Sequence, residues 1–223
     1  MNKINYLLLL LLFVFSSCFL TPYEPETDGL PDDEGEITLV YDLFVDTGNP
    51  DLKGRRETNF LLNDNFYWGE HGYTLWAVES GVGENIFSER EVALSKTSGS
   101  SVAGYGLVIC QRMRTGYGQT MLTVMINTAG NYAIGKVVGG NYIGLKNWTN
   151  TVHLRAGYGR PNELKIMYDK DEKEFTLIIN ENEVEKFKDE TAPVHEGGRN
   201  GYIVVISPQD KFPQNPVEVT FWE

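Results

Sequence analysis

The stretch Asn162-Glu-Leu-Lys-Ile-Met-Tyr-Asp-Lys-Asp-Glu-Lys-Glu-Phe-Thr-Leu-Ile-Ile-Asn180 decides the fold class. Apolar and polar residues alternate from Glu163 to Tyr168, and the alternation resumes from Phe175 to Ile179 after a charged turn. A period of two is typical of a strand that buries one face. The stretch is therefore predicted to be a β-hairpin with one side against a core.

The same kind of segment recurs on both sides of this hairpin. Short runs of β-branched, aromatic and aliphatic residues are bounded by Gly, Asn, Asp and Pro, and no amphipathic helix of useful length interrupts them. The predicted strands are 37–45, 73–78, 86–94, 105–112, 121–127, 131–138, 142–148, 163–168, 174–180, 202–207 and 217–222. Gly139-Gly140-Asn141 predicts a tight hairpin turn. Residues 36–223 are therefore predicted to form one all-β domain, an antiparallel jelly-roll β-sandwich.

The N-terminus has the order of a secretory signal. Lys3 is followed by an apolar run over 7–15, then by two serines and Cys18. The run is shorter than the roughly 20 apolar residues that a membrane-spanning helix needs. Phe15-Ser-Ser-Cys18 resembles the lipobox of bacterial lipoproteins, with Phe15 and Ser17 departing from its usual residues. The resemblance implies that residues 1–17 are a signal peptide and that Cys18 carries a diacylglyceryl thioether and an acylated amine.

The segment 18–35 is predicted to be a tether. It combines three prolines with a high density of acidic residues and few core formers, so it buries too little apolar surface to fold by itself. The anchored protein is expected at a bacterial membrane, with the outer membrane favoured because Phe19 rather than Asp follows Cys18.

The charge of the chain disfavours nucleic acid as a ligand, and its cysteine content disfavours an internal disulfide. Residues 18–223 hold 18 basic and 31 acidic residues, which disfavours binding to nucleic acid. With Cys18 lipidated, Cys110 has no partner for a disulfide, and its apolar neighbours indicate a buried thiol.

A family resemblance covers roughly residues 70–222. It is carried by Gly104-Tyr-Gly-Leu-Val-Ile-Cys110, Met121-Leu-Thr-Val-Met-Ile126, Gly130-Asn-Tyr-Ala-Ile-Gly-Lys136, Leu145-Lys-Asn-Trp-Thr149, Asn162-Glu-Leu-Lys-Ile166, Phe175-Thr-Leu-Ile-Ile-Asn180 and Gly201-Tyr-Ile-Val-Val205. This order of strands and turns is similar to the concanavalin A-like lectin/glucanase superfamily, especially its laminin-G-like bacterial modules. The resemblance implies the fold and leaves the function open.

Catalytic and metal-binding patterns are not found in the sequence. Glucanases of that superfamily place three carboxylates at alternate positions of one strand, and here only Glu89 and Glu91 share such a face. His71, His153 and His195 lack a second ligand at metal spacing. We therefore expect a protein that is not an enzyme and needs no metal or cofactor.

Aromatic residues are the candidate ligand contacts. Sugar sites stack aromatic rings on the apolar face of a pyranose and add polar side chains for its hydroxyls. The candidates are Tyr67, Trp68, Tyr73, Tyr132, Tyr142, Trp148, Tyr158 and Arg160. Packing within a strand or at its edge is the alternative role of each. The first hypothesis is a non-catalytic glycan-binding module, which predicts that exposed aromatics cluster on one face or in one set of loops. The alternatives are a surface lipoprotein that binds a host or other protein, and a glycosidase.

Overall fold

The strands form two antiparallel sheets in a computed structural model that describes residues 38–42, 55, 57–62, 72–78, 87–190, 197–212 and 214–223. These described residues contain thirteen strands and no helix. The strands are β1 (Thr38–Asp42), β2 (Glu57–Leu62), β3 (Tyr73–Val78), β4 (Glu89–Ser98), β5 (Tyr105–Arg114), β6 (Gly118–Ile126), β7 (Asn131–Val138), β8 (Asn141–Asn150), β9 (Asn162–Asp169), β10 (Glu174–Ile179), β11 (Asn182–Phe187), β12 (Arg199–Ile206) and β13 (Val217–Trp222).

The two sheets have different sizes. One has seven strands in the order β1-β2-β13-β4-β9-β10-β11, and the other has six in the order β3-β12-β5-β6-β7-β8. The chain crosses between the sheets after β2, β3, β4, β8, β11 and β12, which places strands distant in sequence side by side. The predicted all-β jelly-roll sandwich is confirmed.

Two strands were not predicted from the sequence. β2 buries Thr58, Phe60 and Leu62 on its inner face, so a polar residue occupies one of the three core positions and weakens the apolar alternation. β11 lies at the edge of the seven-stranded sheet, where most of its charged side chains remain in solvent. In both strands pairing with neighbours decides the structure, and local composition does not.

The main core lies between the sheets. Leu164, Ile166 and Leu177 of the β9–β10 hairpin are fully buried there, as the alternation predicted. Phe60 and Tyr202 also pack on Phe221, with ring centroids 5.5 Å and 4.3 Å from it. Each such side chain contributes about 1.5–3 kcal/mol when it leaves water.

The six-stranded sheet is apolar on its outer face as well. A second cluster there contains Val108, Met121, Met125, Val137 and Ile203, all of them buried. The long apolar runs of β5, β6 and β12 reflect burial on both faces. The outer face of the seven-stranded sheet instead carries charged pairs such as Lys165 with Glu89, 3.2 Å apart.

Two predicted local features are confirmed. Gly139 and Gly140 have φ angles of 60° and 83° and join β7 to β8 in a two-residue turn. Cys110 is buried and free, and burial raises the pKa of its thiol to about 12. Its φ of 57° belongs to an irregularity in the β5–β6 pairing, where the Asn200 Oδ1 accepts a hydrogen bond from the Cys110 N–H at 3.1 Å.

The predicted signal peptide (1–17) and tether (18–35) lie outside the described residues, as does Cys18. Among the residues that are described, none belongs to a helix of the length and apolarity that crossing a membrane requires.

Candidate functional site

A pocket of about 510 Å³ opens at one end of the sandwich, where three loops meet. The loops follow β4 (99–104), β8 (151–161) and β12 (207–212 and 214–216). The residues lining the pocket are Thr97, Ser98, Gly99, Ser100, Ser101, Tyr158, Gln209, Asp210, Gln214, Asn215 and Pro216. Its volume falls within the roughly 300–1,000 Å³ range of small-molecule sites.

Strand pairing brings these loops together. β13 runs antiparallel to β4, with Glu218 opposite Ser98, so the chain leaving β4 meets the chain entering β13. The Ser98 hydroxyl donates to the Pro216 carbonyl at 2.6 Å, and the Thr97 hydroxyl donates to Glu218 at 2.8 Å. The pocket floor is therefore fixed by the end of the sheet.

Lys96 and Asp210 hold two of the loops in place. The buried Lys96 ammonium donates to the carbonyls of Ser100 at 2.7 Å and Ala103 at 3.3 Å. The buried Asp210 carboxylate accepts hydrogen bonds from the N–H groups of Ser100 and Ser207, both at 2.6 Å. Burial lowers the pKa of Lys96 to about 8, with the Asp210 carboxylate opposing that shift. These hydrogen bonds fix the position of the pocket wall.

Tyr158 attaches the loop 151–161 to the loop 99–104. Its hydroxyl donates to the Gly99 carbonyl, and the Gly159 N–H donates to the Lys96 carbonyl at 2.9 Å. The Tyr158 side chain remains 47% exposed at the pocket. Gly99 has a φ of 94°, and a Cβ there would lie 2.7 Å from Val217 and 3.3 Å from Asp210, so no larger residue fits this corner.

The lining has the chemistry of a site for a polyhydroxylated molecule. Gln209, Gln214 and Asn215 are exposed amides, and each amide offers both donors and an acceptor. A sugar hydroxyl is also both donor and acceptor, so amides satisfy it from either side. The ring of Tyr158 provides an apolar face next to these groups.

The structure separates the predicted aromatic residues. Tyr158 lines the pocket, and Arg160 lies exposed two residues along the same loop. Tyr132 is 3% exposed within the core, and its hydroxyl donates to Glu185 at 2.7 Å. It was predicted as a ligand contact, but its position on the inner face of β7 leaves no ring face for a ligand.

Tyr142 and Trp148 lie on the outer face of the six-stranded sheet. Trp148 covers Gly104, where a Cβ would lie 2.9 Å from its ring, and Tyr142 covers Gly135 in the same way. The Trp148 side chain remains 45% exposed and the Tyr142 side chain 42% exposed. One side of each ring packs on the sheet side of the molecule, and part of each ring remains exposed to solvent.

Among the described residues, the exposed candidate aromatics do not form a single cluster. Tyr142 and Trp148 lie on β8, whereas Tyr158 lies in a loop at the pocket. Irregularities in the β7–β8 pairing set the direction of the β8 side chains, and a sequence pattern does not reveal them. Tyr67 and Trp68 lie outside the described residues, and only the backbone of Tyr73 is described.

The carboxylate pair noted in the sequence lies elsewhere. Glu89 and Glu91 are exposed on the seven-stranded sheet, and both contact the Lys165 ammonium, at 3.2 Å and 3.5 Å. Across the described ranges no group of three or more His, Cys, Asp or Glu side chains is arranged to hold a metal ion.

Sequence reasoning missed most of the pocket. Gln209, Asp210, Gln214 and Asn215 occur in a Pro-rich connection that predicts only a loop. The signal that they share a site with Ser98 and Ser101 is the β4–β13 pairing, which joins residues more than a hundred positions apart.

Comparison with known proteins identifies similar folds. No protein-family model matches this chain, and no curated protein sequence does either. A carbohydrate binding module from Bacillus subtilis has a TM-score of 0.47 and 9% identity, with 84% of this chain and 93% of that chain covered. A Bacillus licheniformis β-glucanase has a TM-score of 0.47 and 9% identity, covering 74% and 75%. Sheep galectin-11 has a TM-score of 0.35 and 16% identity, covering 60% and 89%. At these scores the similarity carries no functional argument, and the function has to come from the site.

Proposed function

We propose that the domain is a non-catalytic binding module for a glycan and that the pocket at Tyr158 holds the sugar. The supporting observation is the lining itself, which combines one half-exposed aromatic ring with three exposed amides and several serines. The aromatic ring offers an apolar face for the CH face of a sugar, and the amides and hydroxyls offer partners for its hydroxyl groups.

The carboxylates support a binding role. A glycosidase needs two carboxyl groups about 5–10 Å apart across its substrate. Asp210 is the one acidic residue in the described lining, and both of its oxygens accept backbone hydrogen bonds. A carboxylate engaged in this way is suited to holding loops in place.

The test is a glycan array probed with the full chain in detergent, beside Tyr158→Ala and Tyr117→Ala. Tyr117 is the matched control, because it is 50% exposed in the β5–β6 turn and does not line the pocket. We expect Tyr158→Ala to weaken binding about tenfold, on the order of one stacking contact, and Tyr117→Ala to leave it unchanged. Equal binding by both variants would refute the assignment of the pocket.

Tyr158→Phe separates the two roles of this residue. It keeps the ring and removes the hydroxyl that donates to Gly99. If stacking dominates, Tyr158→Phe binds nearly as well as the wild type.

A second candidate function, binding a protein partner, is favoured by β8. This ten-residue strand pairs with β7 and, within the described part of the chain, with no other strand. Tyr142, Ile143 and Trp148 are exposed on it. An open edge with apolar side chains is a template for an added strand. A photo-crosslinking residue at Ile143 in the producing cell should give one defined adduct if this function is correct.

We also propose that lipids on Cys18 hold the protein at a bacterial membrane, the outer membrane being favoured, after removal of residues 1–17. The support is the signal-like N-terminus and its serines before Cys18. Labelled palmitate should be incorporated into the wild type and not into Cys18→Ser, and the variant should leave the membrane fraction. Membrane retention of unlabelled Cys18→Ser would contradict the anchor.

A further inference from the structure

Acidic residues are unevenly distributed along this chain. It has a net charge of −12 and 31 acidic residues, yet none of them lies between Glu91 and Glu163. That interval, 92–162, spans 71 residues and would hold about ten acidic residues if they were spread evenly. It contains seven basic residues instead: Lys96, Arg112, Arg114, Lys136, Lys146, Arg155 and Arg160.

The fold places this interval at the pocket. It supplies the first loop, with Thr97 to Ser101, and the loop 151–161, with Tyr158. Arg155 and Arg160 flank Tyr158 and are exposed. The Arg155 side chain donates to the Pro161 carbonyl at 3.2 Å, and Cγ of Arg160 lies within 3.7 Å of where a Cβ on Gly157 would stand. Both arginines therefore belong to the turn that carries Tyr158, and they lie beside the residues that line the pocket.

The carboxylate in the lining does not make the pocket anionic. Asp210 is buried, accepts hydrogen bonds from Ser100 and Ser207, and lies close to the Lys96 ammonium. Lys211, next to it, is exposed. The exposed charged side chains of the loops around the pocket are Arg155, Arg160 and Lys211. The Glu218 carboxylate at the pocket floor accepts a hydrogen bond from the Thr97 hydroxyl, so cations predominate among the exposed charges of these loops.

The net negative charge of the whole protein does not cancel this local field. At physiological ionic strength, charges separated by more than about 8 Å are largely screened from one another. The carboxylates of the seven-stranded sheet, such as Glu89 and Glu91, are tied to Lys165 on its outer face. A ligand in the pocket experiences chiefly the charges of the surrounding loops.

We infer that the pocket selects an anionic glycan, one whose sugars carry carboxylate or sulfate groups, and that Arg160 and Arg155 contact those groups beside the ring held at Tyr158. The inference rests on the proposed function and names its ligand class. Guanidinium groups suit both anions because they donate paired hydrogen bonds to two oxygens.

The experiment measures the full chain in detergent against matched oligosaccharides by calorimetry. One pair is an oligouronate and its carboxyl-reduced counterpart, and the other is a sulfated oligosaccharide and its desulfated form. We expect one anionic member to bind about tenfold more tightly than its neutral counterpart at low salt, and this preference to shrink as salt rises. The pair that shows the preference identifies the anion.

Variants locate the contact. Arg160→Gln and the double variant with Arg155→Gln should remove most of the preference while weak binding of the neutral sugar persists. Lys170→Gln is the control, since Lys170 is also exposed but lies in the β9–β10 turn. Tyr158→Ala should weaken the binding of both members of a pair.

The outcomes separate the two proposals. Equal binding of anionic and neutral sugars, each lost in Tyr158→Ala, would overturn the inference and keep the glycan-binding function. Binding of no member of either pair would refute both. A preference that Lys170→Gln reduces as much as Arg160→Gln would overturn the assignment to the pocket.

Discussion

Lys96 is a charged residue whose side chain is completely buried. A lysine is rarely buried without partners, because transferring an ammonium from water costs several kcal/mol. Here the cost is offset by the carbonyls of Ser100 and Ala103 and by the nearby Asp210. The offset is partial, since the pKa of Lys96 falls from 10.5 to about 8.

This shift predicts a rise in stability with pH. Between about pH 8 and pH 10 the unfolded chain keeps the Lys96 proton while the folded chain releases it. The free energy of unfolding therefore rises with pH, by up to about 1.4 kcal/mol per unit. Urea unfolding from pH 7 to 10 should show this rise in the wild type and in Lys170→Met, and lose it in Lys96→Met. Parallel profiles for all three proteins would contradict the prediction.

Cys110 is predicted to be inert in the folded protein. Its thiol is buried, and its pKa of about 12 leaves almost no thiolate at neutral pH, whereas thiolate is the reactive form. Iodoacetamide followed by mass spectrometry should modify Cys110 in denaturant and leave it unmodified in the native protein. Rapid modification of the native protein would mean that this part of β5 opens readily.

At the scale of elements, the edge strand β8 carries two exposed aromatic rings, Tyr142 and Trp148. Irregularities in its pairing with β7 occur at Ile134. The Tyr142 ring lies over Gly135 of β7, and the Trp148 ring lies over Gly104, which directly precedes β5. Burial against the sheet raises the pKa of Tyr142. Glycine is needed beneath each ring because a side chain there would lift the ring away.

We predict a coupling between Gly135 and Tyr142. Gly135→Ala should reduce the free energy of unfolding by about 1 kcal/mol, because the new methyl group displaces the Tyr142 ring. In a Tyr142→Ala background the same change should cost almost nothing, since the ring is gone. Gly144→Ala is the control, because a Cβ there would lie 3.4 Å from Asn147 Oδ1, close but without collision. An equal cost of Gly135→Ala in both backgrounds would refute the coupling.

The extent to which strands can be predicted depends on how much of their pattern is local. The β9–β10 hairpin is evident in the sequence because Leu164, Ile166 and Leu177 alternate with polar residues. β2 and β11 are hidden, since Thr58 fills a core position and the charges of β11 face solvent. Their strand structure comes from hydrogen bonds to neighbouring strands.

At the scale of the molecule, a buried ion pair joins the chain after β11 to the six-stranded sheet. Lys136 of β7 and Asp189 contact each other with both side chains almost fully buried. The pair links residues 53 positions apart. Burying both charges costs desolvation free energy. Replacing one partner should therefore destabilise the protein more than replacing both partners together with apolar residues.

Lys136→Met should therefore destabilise the protein by about 3–5 kcal/mol, because it leaves the Asp189 carboxylate buried without this partner. The double variant Lys136→Met/Asp189→Leu should recover most of that loss. Denaturant unfolding of the wild type, both single variants and the double variant measures the coupling. A double variant as unstable as the sum of the single variants would show that the two residues act independently.

The sequence by itself determined the all-β class, the β9–β10 hairpin, the Gly139-Gly140 turn and the burial of Cys110. All of these follow from residues close together in the chain, where side-chain period and backbone angles act directly. It also indicated Tyr158 as a candidate contact. Only the tertiary structure decided that Tyr158 lines the same pocket as Gln209, Asp210 and Asn215, and that Tyr132 is in the core. It also decided that two parts of the interval 92–162, which holds no acidic residue, lie at this pocket. Those outcomes depend on which strands pair across long sequence separations, and pairing is fixed by the packing of the whole sandwich.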